Sequence, residues 1–233
     1  LGTQKVEALT KKMFPQARVL RMDADTTTGK NGHENILRAF RQGEADILIG
    51  TQMIVKGHDF PQVTLVGILA ADLSMFAGDY RSGERTFQLL MQASGRAGRG
   101  SLPGDVVIQT YDPEHYAIQA VKNQDYIQFY ENEMAYRRMM HYPPVWSIMA
   151  VLSFSKDEKM AEGAIGYLAD FVKNQKLEGV QCIGPTKANI GKINDWYRYV
   201  CYVKCDQAKR LTQIQRELEV QIDERINQSI VSV

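Results

Sequence analysis

Four short aliphatic, β-branched runs in the first half of the chain limit the fold most, because they do not alternate polar with apolar residues. They are Ala17–Met22, Asp46–Ile49, Val63–Ala70 and Asp105–Gln109. A strand wetted on one face alternates, whereas a strand covered on both faces, as in a parallel sheet, reads as a near-continuous apolar run. Between the runs, apolar residues recur at helical spacing: Val6, Leu9 and Met13; Ile36, Leu37 and Phe40; Phe87, Leu90 and Met91. Strand–helix–strand alternation of this kind predicts an α/β, doubly wound parallel-sheet lobe over residues 1–112.

After Asp112-Pro113 the pattern changes. Residues 113–144 read as a helical connection, helical from Glu114 to about Met140 and stopped by Tyr142-Pro143-Pro144. Residues 145–233 then read as a small α+β domain. Trp146–Phe154, Val180–Ile183 and Tyr197–Lys204 are strand-like, and Lys159–Lys173 is an amphipathic helix. Gln207–Asn227 is a longer one, with Leu211, Ile214, Leu218, Ile222 and Ile226 facing inward, and a last strand is expected from Ile230.

The formal net charge of +1 is balanced along both halves, which argues against a protein that wraps duplex DNA through bulk positive charge. Any nucleic-acid contact must be local. Cys182, Cys201 and Cys205 are too few and wrongly spaced for a zinc module; they are expected to be reduced thiols. No apolar run reaches the roughly 18 residues of a membrane span, so no membrane partner is expected. The chain opens at Leu1 inside a helical pattern, as a portion of a longer polypeptide would.

The segment Gln92-Ala93-Ser94-Gly95-Arg96-Ala97-Gly98-Arg99-Gly100 carries the strongest chemical signal. Arg96 and Arg99, three apart, share one helical or turn face, so two guanidinium forks can approach one anionic group. Gly95 and Gly98 permit close backbone approach. Upstream, Asp46–Gly50 leads into Thr51-Gln52 and then Lys56-Gly57-His58-Asp59-Phe60-Pro61. A hydroxyl and an amide at the C-terminal end of a strand are placed to bond a phosphodiester backbone. A capping role for Thr51 and Gln52 is the structural alternative, and His58 receives no catalytic role.

These two segments resemble motifs VI and V of superfamily 2 helicases. With Gly2–Glu7, Phe14–Asp23, Asp25-Thr26-Thr27, Ala71-Asp72, Asp79-Tyr80-Arg81, Glu84–Leu90 and Ile108–Tyr111, the resemblance narrows to the primosomal replication-restart DNA helicases. It is nearly continuous from Gly2 to Pro144 and looser beyond, through Ile183-Gly184-Pro185 and Trp196–Tyr199. It implies a RecA-like second helicase lobe followed by the family's C-terminal domain. It also implies an ATP-dependent, 3′ to 5′ DNA helicase that recognises stalled forks and restarts replication by primosome assembly.

In that scheme Arg96 and Arg99 are arginine fingers, and Gln92 senses the γ-phosphate or the attacking water. Asp59 and Gly57 lie at the nucleotide, and Thr51, Gln52 and Lys56 grip the DNA backbone. ATP, Mg²⁺ and zinc serve the intact protein, the zinc ligands lying upstream of Leu1. Forked and single-stranded DNA, single-stranded-DNA-binding protein and helicase-loading proteins are the implied partners of a cytoplasmic monomer. No G-x-x-x-x-G-K-[ST] phosphate loop and no DExH box occur in the sequence, so hydrolysis by this chain alone is not expected.

The cluster Trp196, Tyr197, Arg198, Tyr199, Tyr202 and Lys204 offers a second surface. Alternation puts Tyr197 and Tyr199 on one face and Arg198 on the other, the tyrosines suiting a core and Arg198 a nucleic-acid contact. The resemblance also suggests a notch for the acidic tail of single-stranded-DNA-binding protein, with Arg198, Lys209, Arg210 and Gln213 on its polar side. Two other functions stay open: a superfamily 2 translocase of the fork-reversing type, and a non-catalytic module that binds DNA or protein.

Overall fold

Strand β1 (Val19–Met22) lies parallel to β2 (Ile47–Gly50), with Val19 paired to Ile47, and helix α2 (Gly32–Arg41) connects them. The structure, a computed structural model, describes residues 2–27, 32–55, 60–75, 79–98 and 103–231, without the side chains of Met53, Val55 and 225–231. The chain divides into two units, Leu1–Phe129 and Tyr130–Val233, with the boundary inside a helix.

In the first unit α2 buries Leu37 and Phe40 against Met22, Ala45 and Phe60, the Phe40 and Phe60 rings meeting edge to face at 5.1 Å. Helix α1 (Thr3–Met13) packs on β1 through polar groups: Thr3 donates to Asp23 at 2.5 Å, and Arg21 pairs with Glu7 and Asp23, each at 3.0 Å. A second parallel pair, β3 (Leu65–Ile68) and β4 (Asp105–Ile108), carries helix α3 (Ser82–Ser94) and helix α4 (Tyr116–Asn123) on one face. Phe87 of α3 stacks on Phe129 at 4.1 Å and 9° between planes, inside a core that also holds Leu90, Ala117, Ile118 and Val121.

The parallel direction matches the sequence reading, with two corrections. The described strands form two separate hydrogen-bonded pairs rather than one continuous sheet. Coverage of both faces also fails for β3 and β4. Leu65 and Val107 point away from α3 and are 61% and 59% exposed, so the apolar run alone misjudged how many faces are packed.

Helix α5 (Tyr126–Met139) begins in the first unit and ends in the second. The second unit is an antiparallel sheet of order β5 (Ser147–Ser155), β7 (Trp196–Cys205), β6 (Val180–Ile193). Helices α6 (Glu158–Asn174) and α7 (Ala208–Val231) both pack on one face of it, where Ile165, Ala169, Tyr199, Cys201, Val203, Ile214 and Leu218 form the core. On the opposite face the segment after α5 packs near the end of β7: buried Lys204 donates to Met140 O at 2.8 Å and sits 3.8 Å over the Tyr142 ring. Burial holds the Lys204 ammonium below its usual pKa. Arg137, paired with Glu133, donates to Pro143 O at 3.1 Å and braces the same corner.

Three element readings change here. The expected strand at Ile230 is absent, because α7 continues to Val231. The inward line of α7 stops at Leu218: Ile222 is 40% exposed, and the Ile226 side chain lies outside the described residues. Strand β6 is much longer than Val180–Ile183; register shifts after Ile183 and Lys187 let it resume pairing with β7. Gly184-Pro185 and Gly191 hide that continuation from a pattern search.

Candidate functional site

Helix α3 is fixed at both ends. At its beginning, fully buried Thr86 donates to Ser74 Oγ at 2.8 Å, and Ser74 donates to Ala71 O at 3.0 Å. Next to them buried Asp72 accepts from the Thr110 hydroxyl at 2.6 Å and from Tyr111 N–H at 2.9 Å. Those two bonds, the Thr110 bond foremost, hold its carboxyl below the usual carboxylate range and tie together the chain segments leaving β3 and β4.

At the other end of α3, Gly95 N–H bonds Met91 O, Arg96 N–H bonds Ala93 O, and Gly98 N–H reaches Val63 O at 3.1 Å. Gly98 has φ +70°, and a Cβ there would lie 2.8 Å from Gly104 N. The loop therefore presses against the backbone before β4, an approach only glycine allows. Gly95, at φ −70° and ψ 6°, lies outside the left-handed region, so of the two only Gly98 has a backbone conformation that itself calls for glycine.

The framework presents Gln92 exposed on the last turn of α3 and Arg96 half-buried in the turn after it. Arg99 lies outside the described residues, as do Lys56, Gly57 and Asp59. Thr51 follows β2 directly, and Gln52 opens a 3₁₀ turn, Gln52–Val55, that packs against α3. Both side chains are exposed, and neither is hydrogen-bonded among the described residues, so the capping alternative has no bond to carry it. An acceptor or donor pair open to solvent, touching the helix that carries Gln92, can bind a backbone phosphate. Among the described residues no three His, Cys, Asp or Glu side chains cluster as metal ligands.

In the second unit β7 alternates as read. Tyr197 and Tyr199 pack toward α6, the Tyr199 hydroxyl donating to Glu158 at 3.1 Å, while Arg198 points to the other face. Helix α7 packs with Val203 on the tyrosine side, so the structure does not bring Arg198 together with Lys209, Arg210 and Gln213. The expected single notch fails because β7 separates its two halves. Arg210 is moreover engaged, donating to Glu178 O at 2.5 Å, and Gln213 donates to Glu217 at 2.9 Å; Lys209 is exposed. Residue-type reasoning missed Phe154, which lies directly across from Arg198 on the open face. The alternation Leu152-Ser153-Phe154 was the available signal.

Comparison with known proteins defines the class first. Residues 2–101 match the helicase conserved C-terminal domain, so the first unit carries a helicase C-terminal lobe. Residues 138–233 match the primosomal protein N C-terminal domain. The chain is 46% identical over 232 residues to replication restart protein PriA of Bacillus subtilis, covering 100% of this chain and 29% of that protein. It is 46% identical over 204 residues to replication restart protein PriA of Synechocystis, covering 87% of this chain and 24% of that protein. The Haemophilus influenzae protein of the same name is 35% identical over 219 residues, covering 94% of this chain and 30% of that protein. The chain belongs to the PriA replication-restart helicase family and is a C-terminal part of such a protein.

Proposed function

We propose that this chain supplies the finger-bearing half of an ATP-driven motor that translocates 3′ to 5′ on single-stranded DNA and restarts replication at stalled forks. The observation that carries the reading is the end of α3, where Gly98 N–H on Val63 O anchors the turn 95–98 that holds Arg96 next to Gln92. An anchored turn suits an arginine finger, which must meet charge developing on a γ-phosphoryl group without first reorganising. Arg96 and Arg99 take that role, Gln92 orients the γ-phosphate or the attacking water, and Asp59 and Gly57 contact the nucleotide.

ATP supplies the phosphoryl-transfer free energy. Its phosphate cradle and its Mg²⁺ ligands belong to the first lobe, since this sequence holds no phosphate loop. Thr51, Gln52 and Lys56 grip the DNA backbone. The packing of the Gln52–Val55 turn on α3 supports direct coupling between DNA grip and fingers. In the second unit Arg198 contacts DNA, and Lys209 with its neighbours Arg210 and Gln213 forms a separate flank for an acidic partner such as the tail of single-stranded-DNA-binding protein. The intact protein works in the cytoplasm as a monomer, holds zinc in a module outside this chain, and meets helicase-loading proteins at the fork.

The direct test is ATP hydrolysis by the purified 233-residue chain and by the intact protein, each with and without single-stranded DNA. The chain alone should be inactive and the intact protein DNA-stimulated. DNA-stimulated turnover by the chain alone would overturn the division of labour between lobes.

A further inference from the structure

We propose that the uncovered part of the second unit's sheet is a stacking platform for the unpaired bases of a single-stranded nucleic acid. Phe154 and Trp196 serve as the stacking rings, and Arg198 and Lys156 as the flanking cations. The inference deepens the reading of Arg198 as a nucleic-acid contact and rests on it.

Strand register puts the components on one face. Phe154 pairs with Arg198 across β5 and β7, Leu152 pairs with Val200, and Ile193 pairs with Trp196 at the end of the β6–β7 hairpin. Asn194 and Asp195, at φ 48° and 66°, make the tight reversal that sets Ile193 opposite Trp196. Both α6 and α7 occupy the other face, and on this one Lys204 and Val200 are buried, so the open part is its rim, at Leu152, Phe154, Ile193 and Trp196. What remains open is aromatic and apolar: Phe154 is 66% exposed, Leu152 45%, Trp196 41% and Ile193 41%. The Phe154 and Trp196 rings meet edge to face at 5.8 Å, an arrangement that leaves ring faces available to a ligand.

The charge around these rings favours a polyanion. Lys156 Nζ lies 5.8 Å from the centre of the Trp196 ring. Arg198 has no carboxylate partner among the described residues. The neighbouring carboxylates are already matched, Glu158 by Lys187 at 2.7 Å and Asp195 by Lys192 at 3.1 Å, both lysines pairing on the tyrosine side of the sheet. Exposed flat rings beside uncompensated cations suit bases stacked along a phosphate backbone, with little preference for sequence. A hollow of about 360 Å³ lined by Tyr167, Asp170 and Phe171 lies on α6, away from these rings.

The test uses the 233-residue chain carrying Trp146→Phe, which leaves Trp196 as the sole tryptophan. Its fluorescence is titrated with oligothymidylate and with an abasic sugar-phosphate oligomer of equal length. Thymidylate should quench Trp196 and bind at least about tenfold tighter than the abasic strand, the scale of one stacked base. Phe154→Ala should remove most of that preference while leaving abasic binding and the melting temperature unchanged, since the ring is 66% exposed. Arg198→Ala should weaken both strands. Equal binding of the two strands, or a preference that survives Phe154→Ala, overturns the platform. In that event a loss on Arg198→Ala keeps the phosphate contact, and no loss removes that reading too. Displacement of thymidylate from Trp196 by an acidic oligopeptide at equal or lower concentration would make the surface a peptide site and overturn the proposal.

Discussion

Replacing Gly98 with alanine tests how the loop after Gln92 and Arg96 is held. Two effects add. A left-handed conformation costs an L-residue about 1–2 kcal/mol. In addition, the new Cβ would stand 2.8 Å from Gly104 N and 3.2 Å from Gly104 Cα, and backbone cannot swing aside as a side chain can. Relief means parting the two segments, which weakens the Gly98 N–H bond to Val63 O and adds about 1–3 kcal/mol, as overpacking does. The sum is about 2–5 kcal/mol. Two companion variants separate the contributions. Gly43, at φ +73°, has nothing within 4 Å of its would-be Cβ, so Gly43→Ala carries the conformational cost alone. Gly104→Ala drives a Cβ into the backbone of Ala97 and Gly98 and carries the clash alone. At about 4 °C per kcal/mol for a unit of this size, Gly43→Ala should lower the melting temperature by about 4–8 °C and Gly98→Ala by about 8–20 °C. In the intact protein Gly98→Ala should also cut kcat for ATP at least about tenfold, because a displacement near 1 Å of a positioned group costs on that order or more. Calorimetry of the chain and steady-state hydrolysis by the intact protein measure the two effects. If Gly98→Ala melts where Gly43→Ala does, the loop is not clamped. If it melts low but hydrolyses ATP normally, the clamp does not serve the fingers.

The same reasoning predicts that Thr51→Ala with Gln52→Ala weakens DNA stimulation of ATP hydrolysis by the intact protein while basal turnover stays nearly constant, as read from turnover with and without saturating single strand. Equal loss of both rates would move these residues to the nucleotide. A pH effect follows from Asp46, whose carboxyl the Arg18 guanidinium and the Arg18 N–H hold at about 2 against an ordinary value of 3.8. A depressed acid contributes stability above its unfolded value and loses it as pH falls. Wild type should therefore lose stability between about pH 4 and pH 2 in urea titrations, and Arg18→Ala should lose less of it over that window. A parallel decline in both proteins would show that the pair adds nothing.

Much of this architecture is legible in the sequence where one local force dominates. Leu37 and Phe40 of α2, and Phe87 and Leu90 of α3, sit at helical spacing and are buried as that spacing requires. The alternation of β7 sorted Tyr199 from Arg198 correctly. Sequence reasoning failed where pairing is long-range. Nothing local in Leu65 or Val107 tells that their face is bare, because coverage depends on what packs there rather than on the strand itself. The Arg198 and Arg210 notch failed for a related reason: two basic residues close in sequence stand on opposite faces of a sheet, and sidedness is decided by where α7 docks. Within the site, the glycine spacing announced close approach, but only the structure identifies Gly104 as the partner of Gly98. Phe154 escaped because its meaning depends on register: it becomes a site candidate only once it lies across from Arg198.

The central claim is that the loop after α3 carries the fingers of a motor completed by another lobe. It is tested most directly by single-turnover ATP hydrolysis in the intact protein with Arg96→Ala, Arg99→Ala and the double variant, each with its melting temperature recorded. The account predicts that the double variant loses about 10³-fold or more in the rate of hydrolysis, the scale of an arginine finger, with the melting temperature nearly unchanged. A loss smaller than about tenfold, accompanied by a sharp drop in melting temperature, would contradict it and make these arginines part of the framework rather than of the chemistry.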